Sequence, residues 1–342
     1  MSVAVEVTGT RQQEAWRRKV LPPVELVGED LWSVPVVFPG NPMRYTLSYV
    51  LVEADECLVI DPGFDSPDGY RQLQAGLAQA GLGLGDVTGI LATHFHTDHL
   101  GMAKRLAGDS GAWIGMGRAE TRNISAFDDA HLEAAADRAR MRSWGVPEER
   151  ISEAALDHNG LMHLRGLADP DIRLADGEPV PFGRRSLKVI ETPGHTPGHI
   201  CLRDAEREIF LSGDHVLPRI TPNVSLEIRG DKDPLRHCLE SLDRIEADDH
   251  FEVLPAHEYR FRGLAQRARA LHKHALERTA EVMLALELTT EPTVWDIAAN
   301  ISWSRGFNSL TRLQLRLALC ETADHLQYIR TLGVGHRVPG LP

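Results

Sequence analysis

Three histidines and an aspartate lie within six residues of this chain, and this cluster constrains the fold more than any other feature. The run is His94-Phe95-His96-Thr97-Asp98-His99. A strand-like apolar segment precedes it and a helix-like segment begins at Ala103, so the cluster occupies a strand-to-helix loop, where α/β folds usually carry their chemistry. Imidazole and carboxylate groups in such a loop are typical ligands of a borderline divalent cation such as Zn²⁺.

Three later segments supply further groups of the same type. They are Gly194-His195-Thr196-Pro197-Gly198-His199, Ser212-Gly213-Asp214-His215 and Pro255-Ala256-His257. Each follows a segment with the β-branched and apolar content of a strand. Each therefore offers a histidine or an aspartate at a strand end, which the loop at 94–99 would need to complete a metal site.

The order of the elements indicates an α/β protein with two sheets. Strands are predicted over 31–38, 45–53, 56–60, 87–92, 180–182, 186–192, 199–204 and 208–212, with a helix over 66–80. There are more strands than a doubly wound fold of this length would show. We therefore expect an αββα sandwich, in which two sheets pack between helices.

Two helical regions interrupt or follow this sandwich. Residues from about 116 to 167 read as a helical insertion, which could form an apolar lid or pack onto the core. From Gly263 onward three helices are predicted: a long amphipathic helix from Leu264, a second opened by a capping box at Thr293, and a third from Asn308 to about Arg330. We expect a catalytic domain over 1–262 and a small domain over 263–342.

At this point the sequence resembles the metallo-β-lactamase superfamily of metallohydrolases. The likeness covers roughly 31–262 and rests on motifs in the family's order, beginning with Asp61 in Ile-Asp-Pro-Gly and followed by the histidine-rich segments quoted above. It implies two metal ions per chain, with Zn²⁺ favoured and Fe or Mn as alternatives. The implied ligands are His94, His96 and His195 for one ion, Asp98, His99 and His257 for the other, and Asp214 as a bridge.

The resemblance also implies roles outside the ligand set. Asp61 would support the ligand loop, and we expect His199 to buttress the loop that carries His195. Two cations about 3.5 to 4 Å apart require a bridging carboxylate and a bridging hydroxide, and that hydroxide would be the nucleophile. Asp98, Asp214 and His215 are therefore the candidate catalytic residues. His215 could contact substrate or protonate the leaving group, or it could be a packing group.

The loop after Asp214 offers two candidate substrate contacts. Arg219 could hold a substrate carboxylate or phosphate, or it could be an ordinary surface arginine. Asn223 lies on the same segment. Superfamily members that open β-lactam rings carry cysteine or serine where Asp214 stands, so this chain is not expected to be a β-lactamase. Glyoxalase II and the lactonases keep the aspartate, and a small carbonyl ester, thioester or lactone is the favoured substrate.

The small C-terminal domain resembles the winged helix of a β-lactamase-like endoribonuclease group, which raises a nucleic-acid alternative. The net charge is −12, and residues 263–342 hold nine Lys or Arg against seven Asp or Glu, so residues 1–262 carry −14. A polyanion would be repelled by most of that surface. Arg312 and Arg316 could form a small basic patch, a solvated helix face or a homodimer contact.

Four functional classes therefore remain. The favoured one is a hydrolase of a small-molecule carbonyl substrate, and a phosphodiesterase or endoribonuclease on single-stranded nucleic acid is the first alternative. An iron-dependent persulfide dioxygenase and a non-catalytic binding module are the others. No apolar run is long enough for a membrane span or a signal peptide, so we expect a cytoplasmic protein without a membrane partner.

Overall fold

The backbone is organised around two β-sheets. The computed structural model describes residues 5–120, 130–156, 166–184, 186–224, 232–288 and 290–333. In chain order the strands are β1 (Glu6–Val7), β2 (Glu25–Gly28), β3 (Leu31–Val37), β4 (Tyr45–Glu53), β5 (Glu56–Ile60), β6 (Gly89–Ala92), β7 (Trp113–Gly117), β8 (Ile172–Leu174), β9 (Leu187–Glu191), β10 (Ile200–Asp204), β11 (Ile209–Gly213), β12 (Glu252–Pro255) and β13 (Phe261–Arg262).

The two sheets are mixed and differ in strand direction. The first sheet has the order β1, β13, β12, β11, β10, β9, and its β11–β12 pair is parallel. The second sheet runs from β2 to β8 in sequence order, antiparallel as far as β5 and parallel from β5 to β8. The carboxyl ends of β5 and β6 therefore lie at the same edge of the second sheet.

Helices cover the outer face of each sheet. The helices among the described residues are α1 (Thr10–Arg18), α2 (Pro67–Gln79), α3 (Thr97–Leu100), α4 (Ala103–Ser110), α5 (Ala130–Ser143), α6 (Glu148–Ala154), α7 (Pro234–Arg244), α8 (Leu264–Glu287), α9 (Val294–Asn300) and α10 (Leu313–Thr331). None of them combines the length and the apolar character that a membrane crossing requires.

Alternation along β4 shows how the layers form. Tyr45, Leu47 and Tyr49 point into the core between the sheets, which also contains side chains from β9 to β12. Val50, on the opposite face of the strand, packs in the layer that contains α2 and α4. A third core joins the outer face of the first sheet to α7 and α8. The predicted αββα sandwich is confirmed.

The helical insertion and the C-terminal helices share one hydrophobic core. Met141 and Trp144, at the end of α5, are buried in the same cluster as Leu315 and Leu319 of α10. The insertion is therefore packed against the C-terminal helices over its described part. It also begins later than predicted, because the segment up to Gly117 belongs to strand β7. The predicted lid residues between 121 and 129 and between 157 and 165 lie outside the described residues.

A buried ion pair crosses the same contact. Arg316 of α10 places Nη1 2.8 Å from a carboxylate oxygen of Asp137 in α5, and Arg140 pairs with the other oxygen of that fully buried carboxylate. The Arg316 side chain is only 14% exposed. Arg316 is consequently engaged inside the protein and does not form the open basic patch that its spacing from Arg312 suggested.

The C-terminal helices follow the predicted order with one boundary changed. The capping box at Thr293 opens α9, with Thr293 Oγ1 accepting from the Asp296 amide at 3.2 Å. The last helix begins at Leu313, whereas Asn308 was predicted to open it. Arg312 has a positive φ of 48°, which no helix continues through, and a short 3₁₀ turn occupies Phe307–Ser309. The predicted wing after Gly333 lies outside the described residues.

Candidate metal centre

The candidate ligands lie where strands of both sheets end. His94, His96, Asp98 and His99 follow β6, while His195, Asp214 and His257 follow β9, β11 and β12 respectively. The structure brings all seven side chains together, and they form three overlapping groups whose nitrogen and oxygen atoms lie within 4.8 Å of one another. The site therefore sits at one edge of the sandwich, between the two sheets.

The first group consists of three ring nitrogens. His94 Nε2 lies 2.9 Å from His96 Nδ1 and 3.2 Å from His195 Nε2, and the last two atoms are 3.1 Å apart. Three nitrogens bound to one tetrahedral zinc ion at about 2.0 to 2.1 Å would be separated by roughly 3.3 Å. The observed spacing is close to that value.

Hydrogen bonds to backbone carbonyls identify the tautomer of two histidines. His195 Nδ1 is 2.6 Å from the Asn223 carbonyl oxygen, and His257 Nδ1 is 2.9 Å from the Tyr45 carbonyl oxygen. Because a carbonyl can only accept, each Nδ1 carries the hydrogen. Each neutral ring therefore turns the lone pair of Nε2 towards the site, as metal-binding histidines do.

Asp61 orders the histidines of the 94–99 loop in the same way. Its Oδ2 lies 3.0 Å from His99 Nδ1 and accepts from Thr93 Oγ1 at 3.0 Å, while Oδ1 accepts from the Thr93 amide at 2.7 Å. Thr93 Oγ1 also lies 3.1 Å from His94 Nδ1. Asp61 thus contacts ligand residues from behind, which is the supporting position expected from the sequence.

The second group leaves buried polar atoms that require a partner. His257 Nε2 is 3.4 Å from Asp98 Oδ2, and His99 Nε2 is 3.8 Å from the same oxygen. Neither Nε2 atom has a hydrogen-bond partner, although both are buried. Leaving such groups unpaired is costly, and a cation would satisfy both.

Asp214 lies between the two groups. Its Oδ2 is 3.6 Å from both His99 Nε2 and His195 Nε2, and its Oδ1 is 3.3 Å from His257 Nε2. Oδ1 also lacks a hydrogen-bond partner. The nitrogen-rich donor set with its shared carboxylate fits divalent cations of the zinc type.

His199 holds the backbone that carries Asp214. The Asp214 amide donates to His199 Nε2 at 3.1 Å, and His199 Nδ1 lies 2.8 Å from Thr192 Oγ1. Gly213 has a φ of +50°, and a Cβ there would lie 2.7 Å from His199 Nε2. The close approach requires glycine. His199 therefore supports Asp214 directly, in addition to lying on the loop after His195.

The charges of the site favour a cation. Burial lowers the pKa of His94 well below its usual range and that of His96 to about 3, so both rings are neutral ligands. Burial also acts on His257, but the Asp214 carboxylate outweighs it and raises the pKa of His257 to about 10. Asp214, although buried, keeps a low pKa because of the facing imidazoles. Without a metal, protons must supply the positive charge that these carboxylates demand.

The three remaining predicted residues lie on the loop that follows β11. His215 is buried, its pKa is lowered to about 4 mainly by burial, and neither ring nitrogen has a hydrogen-bond partner of good geometry. Arg219 is exposed, and its amide donates to Glu258 Oε2 at 3.0 Å. Asn223 contacts His195 through its carbonyl oxygen. These three side chains lie beside the ligand cluster, outside its three groups.

Two residues that the sequence analysis did not single out hold this loop. Arg267 of α8 donates from Nε to the Leu217 carbonyl at 2.7 Å and from Nη2 to the Ile220 carbonyl at 2.6 Å. Glu258 accepts from the Ile220 amide at 3.3 Å. The signal for Arg267 was present: it falls between Leu264 and Leu271 on the apolar face of a predicted amphipathic helix, where an arginine requires partners.

Changing Asp61 to Asn should weaken metal binding without unfolding the protein. An amide has one acceptor oxygen instead of two and no charge, so it cannot serve His99 and both Thr93 donors together. We expect an affinity loss of about 10- to 100-fold, as for other groups that orient metal-binding histidines. Competition with a chromogenic chelator measures it. Asp65→Asn is the matched control, because Asp65 is half exposed and pairs with Arg105. Equal affinities in the two variants would contradict the supporting role.

An αββα sandwich with a histidine–aspartate cluster at one edge defines a class of metal-dependent hydrolases. The model of one family, described as the metallo-β-lactamase superfamily, matches residues 42–257. That range includes every candidate ligand. The chain belongs to the metallo-β-lactamase superfamily.

Individual relatives agree with that membership. The probable metallo-hydrolase YqjP of Bacillus subtilis (strain 168) is 25% identical over 322 residues, which cover 88% of this chain and 92% of the relative. The acyl-coenzyme A thioesterase MBLAC2 of Homo sapiens is 29% identical over 126 residues, or 37% of this chain and 40% of that protein. A crystal structure of a metallo-beta-lactamase family protein from Thermus thermophilus is 27% identical, with a TM-score of 0.76, and covers 92% of this chain and 98% of that one.

Proposed function

We propose that this protein is a dinuclear metallohydrolase that cleaves a thioester or a related small carbonyl ester. The observation that carries the proposal is the position of the Asp214 carboxylate, which faces His195 on one side and His99 and His257 on the other at 3.3 to 3.6 Å. The name of the relative MBLAC2, an acyl-coenzyme A thioesterase, supports a thioester as the substrate.

The proposed ligand sets follow the contacts. His94, His96 and His195 would hold one ion, Asp98, His99 and His257 the other, and Asp214 both. When bound, two Zn²⁺ ions would activate water near neutral pH and polarise the substrate carbonyl, with Fe or Mn as alternatives.

The residues around the ligands have separate proposed tasks. Asp61 and the carbonyls of Tyr45 and Asn223 keep the ring hydrogens of the histidines directed away from the site, so that their lone pairs converge. Asp98 orients its neighbour His257 as well as offering a ligand oxygen. His215, next to Asp214, is placed to contact the substrate.

Charge favours a carbonyl substrate over a phosphodiester. Residues 1–262 carry a net charge of −14, and Arg316 of the C-terminal helices pairs with Asp137. We propose that the C-terminal region, whose likeness to a winged helix remains a proposal, acts beside the metal centre and has no nucleic-acid substrate.

Initial rates on zinc-loaded protein test this function. We expect hydrolysis of octanoyl-coenzyme A that disappears after zinc is removed by chelation and returns on reconstitution. Bis(p-nitrophenyl) phosphate is the competing substrate. Turnover of the phosphodiester alone would overturn the carbonyl proposal and move a nuclease to first place. Metal analysis of the same preparation should give two zinc ions per chain, and one iron instead would favour the dioxygenase.

A further inference from the structure

A cavity of about 250 Å³ lies beside the metal centre, between helices α7, α8 and α10 and the loop after Asp214. Each helix lines it at positions that recur at intervals of three or four residues, such as Leu235, Leu239 and Leu242 on α7. Positions seven residues apart span about 10 Å along a helix, so the cavity is roughly two turns long. It is smaller than the about 300 to 1,000 Å³ of sites that hold drug-sized ligands.

Only a thin wall separates this cavity from the ligands. His215 and Asn223 line the cavity, and Asn223 also accepts the hydrogen bond of His195. Cys238 lines it from α7, and a Cβ at Gly194 would lie 2.5 Å from the Cys238 Cβ, so the His195 loop rests directly on the cavity wall. A group bound at the metal centre could therefore extend into this space.

The chemistry of the wall suits an uncharged, apolar group. Leucines from α7, α8 and α10 form much of it. Arg278 borders the cavity but is engaged by Glu321 at 2.7 Å and by Glu281 at 2.8 Å. His325 bonds to Thr279 at 2.8 Å, and burial lowers the pKa of His325 to about 3, which keeps it neutral.

Asp324, a buried carboxylate, also borders the cavity. Its charge disfavours any anionic group at that depth. A nucleotide phosphate or a free carboxylate would therefore not occupy the inner part of the cavity.

We propose that this cavity is an acyl pocket, which receives the hydrocarbon chain of a medium-length acyl thioester while the thioester carbonyl lies at the metal centre. The inference rests on the proposed function and adds the substrate class. The volume admits one chain and excludes a coenzyme, whose polar part must remain outside. Leu239, Ala275 and Leu317, one from each helix, would then set the chain length that the protein accepts.

Ala275→Leu tests the pocket, because it adds volume at a partly exposed lining position on α8. The matched control is Ala280→Leu on the exposed face of the same helix. We expect the pocket variant to lower kcat/KM for octanoyl-coenzyme A at least about tenfold, the effect typical of a methylene-sized change in an apolar site. The rate on acetyl-coenzyme A should not change. Leu317→Ala should shift the preference the other way, towards lauroyl-coenzyme A.

A binding measurement separates the pocket from the activity. A fluorescent medium-chain fatty acid should bind the metal-free protein and the Ala280→Leu control alike, and Ala275→Leu should weaken this binding at least about tenfold. If probe binding depends on Ala275 but no thioester is hydrolysed, the pocket stands and the proposed function fails. If thioesters are hydrolysed with the same chain-length profile in all variants, the function stands and the pocket is overturned.

Discussion

Replacing Asp214 with Asn should reduce turnover at least about a hundredfold and lower the metal content of the protein, since disturbing a single group that orients a metal already costs 10- to 100-fold. The carboxylate is the one group within 3.6 Å of histidines from both ligand groups, among the residues described. Asparagine keeps the shape but loses the negative charge and one acceptor oxygen. Two neighbouring cations would then repel each other without compensation.

Metal analysis and kinetics together measure this effect. The number of zinc ions per chain and kcat/KM for the thioester should fall in parallel in Asp214→Asn. Asp169→Asn provides the control, because this carboxylate is 74% exposed and pairs only with Arg173 in a surface contact. An Asp214→Asn protein that retains two metals and full activity would refute the shared-carboxylate site.

The sequence predicted the site well because its motifs follow strands. Strand β4 has the predicted bounds, and β5 and the start of β3 also agree. Once those strands are placed, the residues directly after them must lie at one edge of the sandwich. The roles of the ligands stay a prediction, whereas their convergence is a structural result.

Proline explains one strand that the sequence misplaced. Val180 to Phe182 was predicted as a strand from its apolar content, but the structure has only an isolated bridge between Pro179 and Lys188. Pro179 and Pro181 have no amide hydrogen, so a continuous ladder cannot form there. Val180 and Phe182 are nevertheless buried in the core between the sheets. The apolar pattern thus indicated burial correctly and hydrogen bonding wrongly.

Contacts between distant segments could not be predicted from local patterns. The N-terminal region was taken as a polar arm, yet β1 pairs with β13 and Gln12 donates to the buried Ser33 hydroxyl at 3.0 Å. The core shared by α5 and α10 joins residues about 170 positions apart. Each helix alone reads as amphipathic, and the sequence does not say which other helix covers its apolar face.

Trp144→Ala should therefore have the largest effect on stability of the changes considered. The side chain is 1% exposed and packs in the core that joins the insertion to the C-terminal helices. Truncating a buried tryptophan costs about 3 to 5 kcal/mol, a large part of the stability of a typical domain. Chemical denaturation followed by circular dichroism measures the loss.

The matched control lies at the other end of the same helical segment. Leu132 is 59% exposed, so Leu132→Ala should change the free energy of unfolding by no more than about 0.5 kcal/mol. Because one core serves both segments, limited proteolysis of Trp144→Ala should open α5 and α10 together. If only the insertion became sensitive, or if Trp144→Ala cost no more than Leu132→Ala, the two segments would be independently stable. The acyl pocket, which α10 helps to enclose, would then no longer depend on the packing of the insertion.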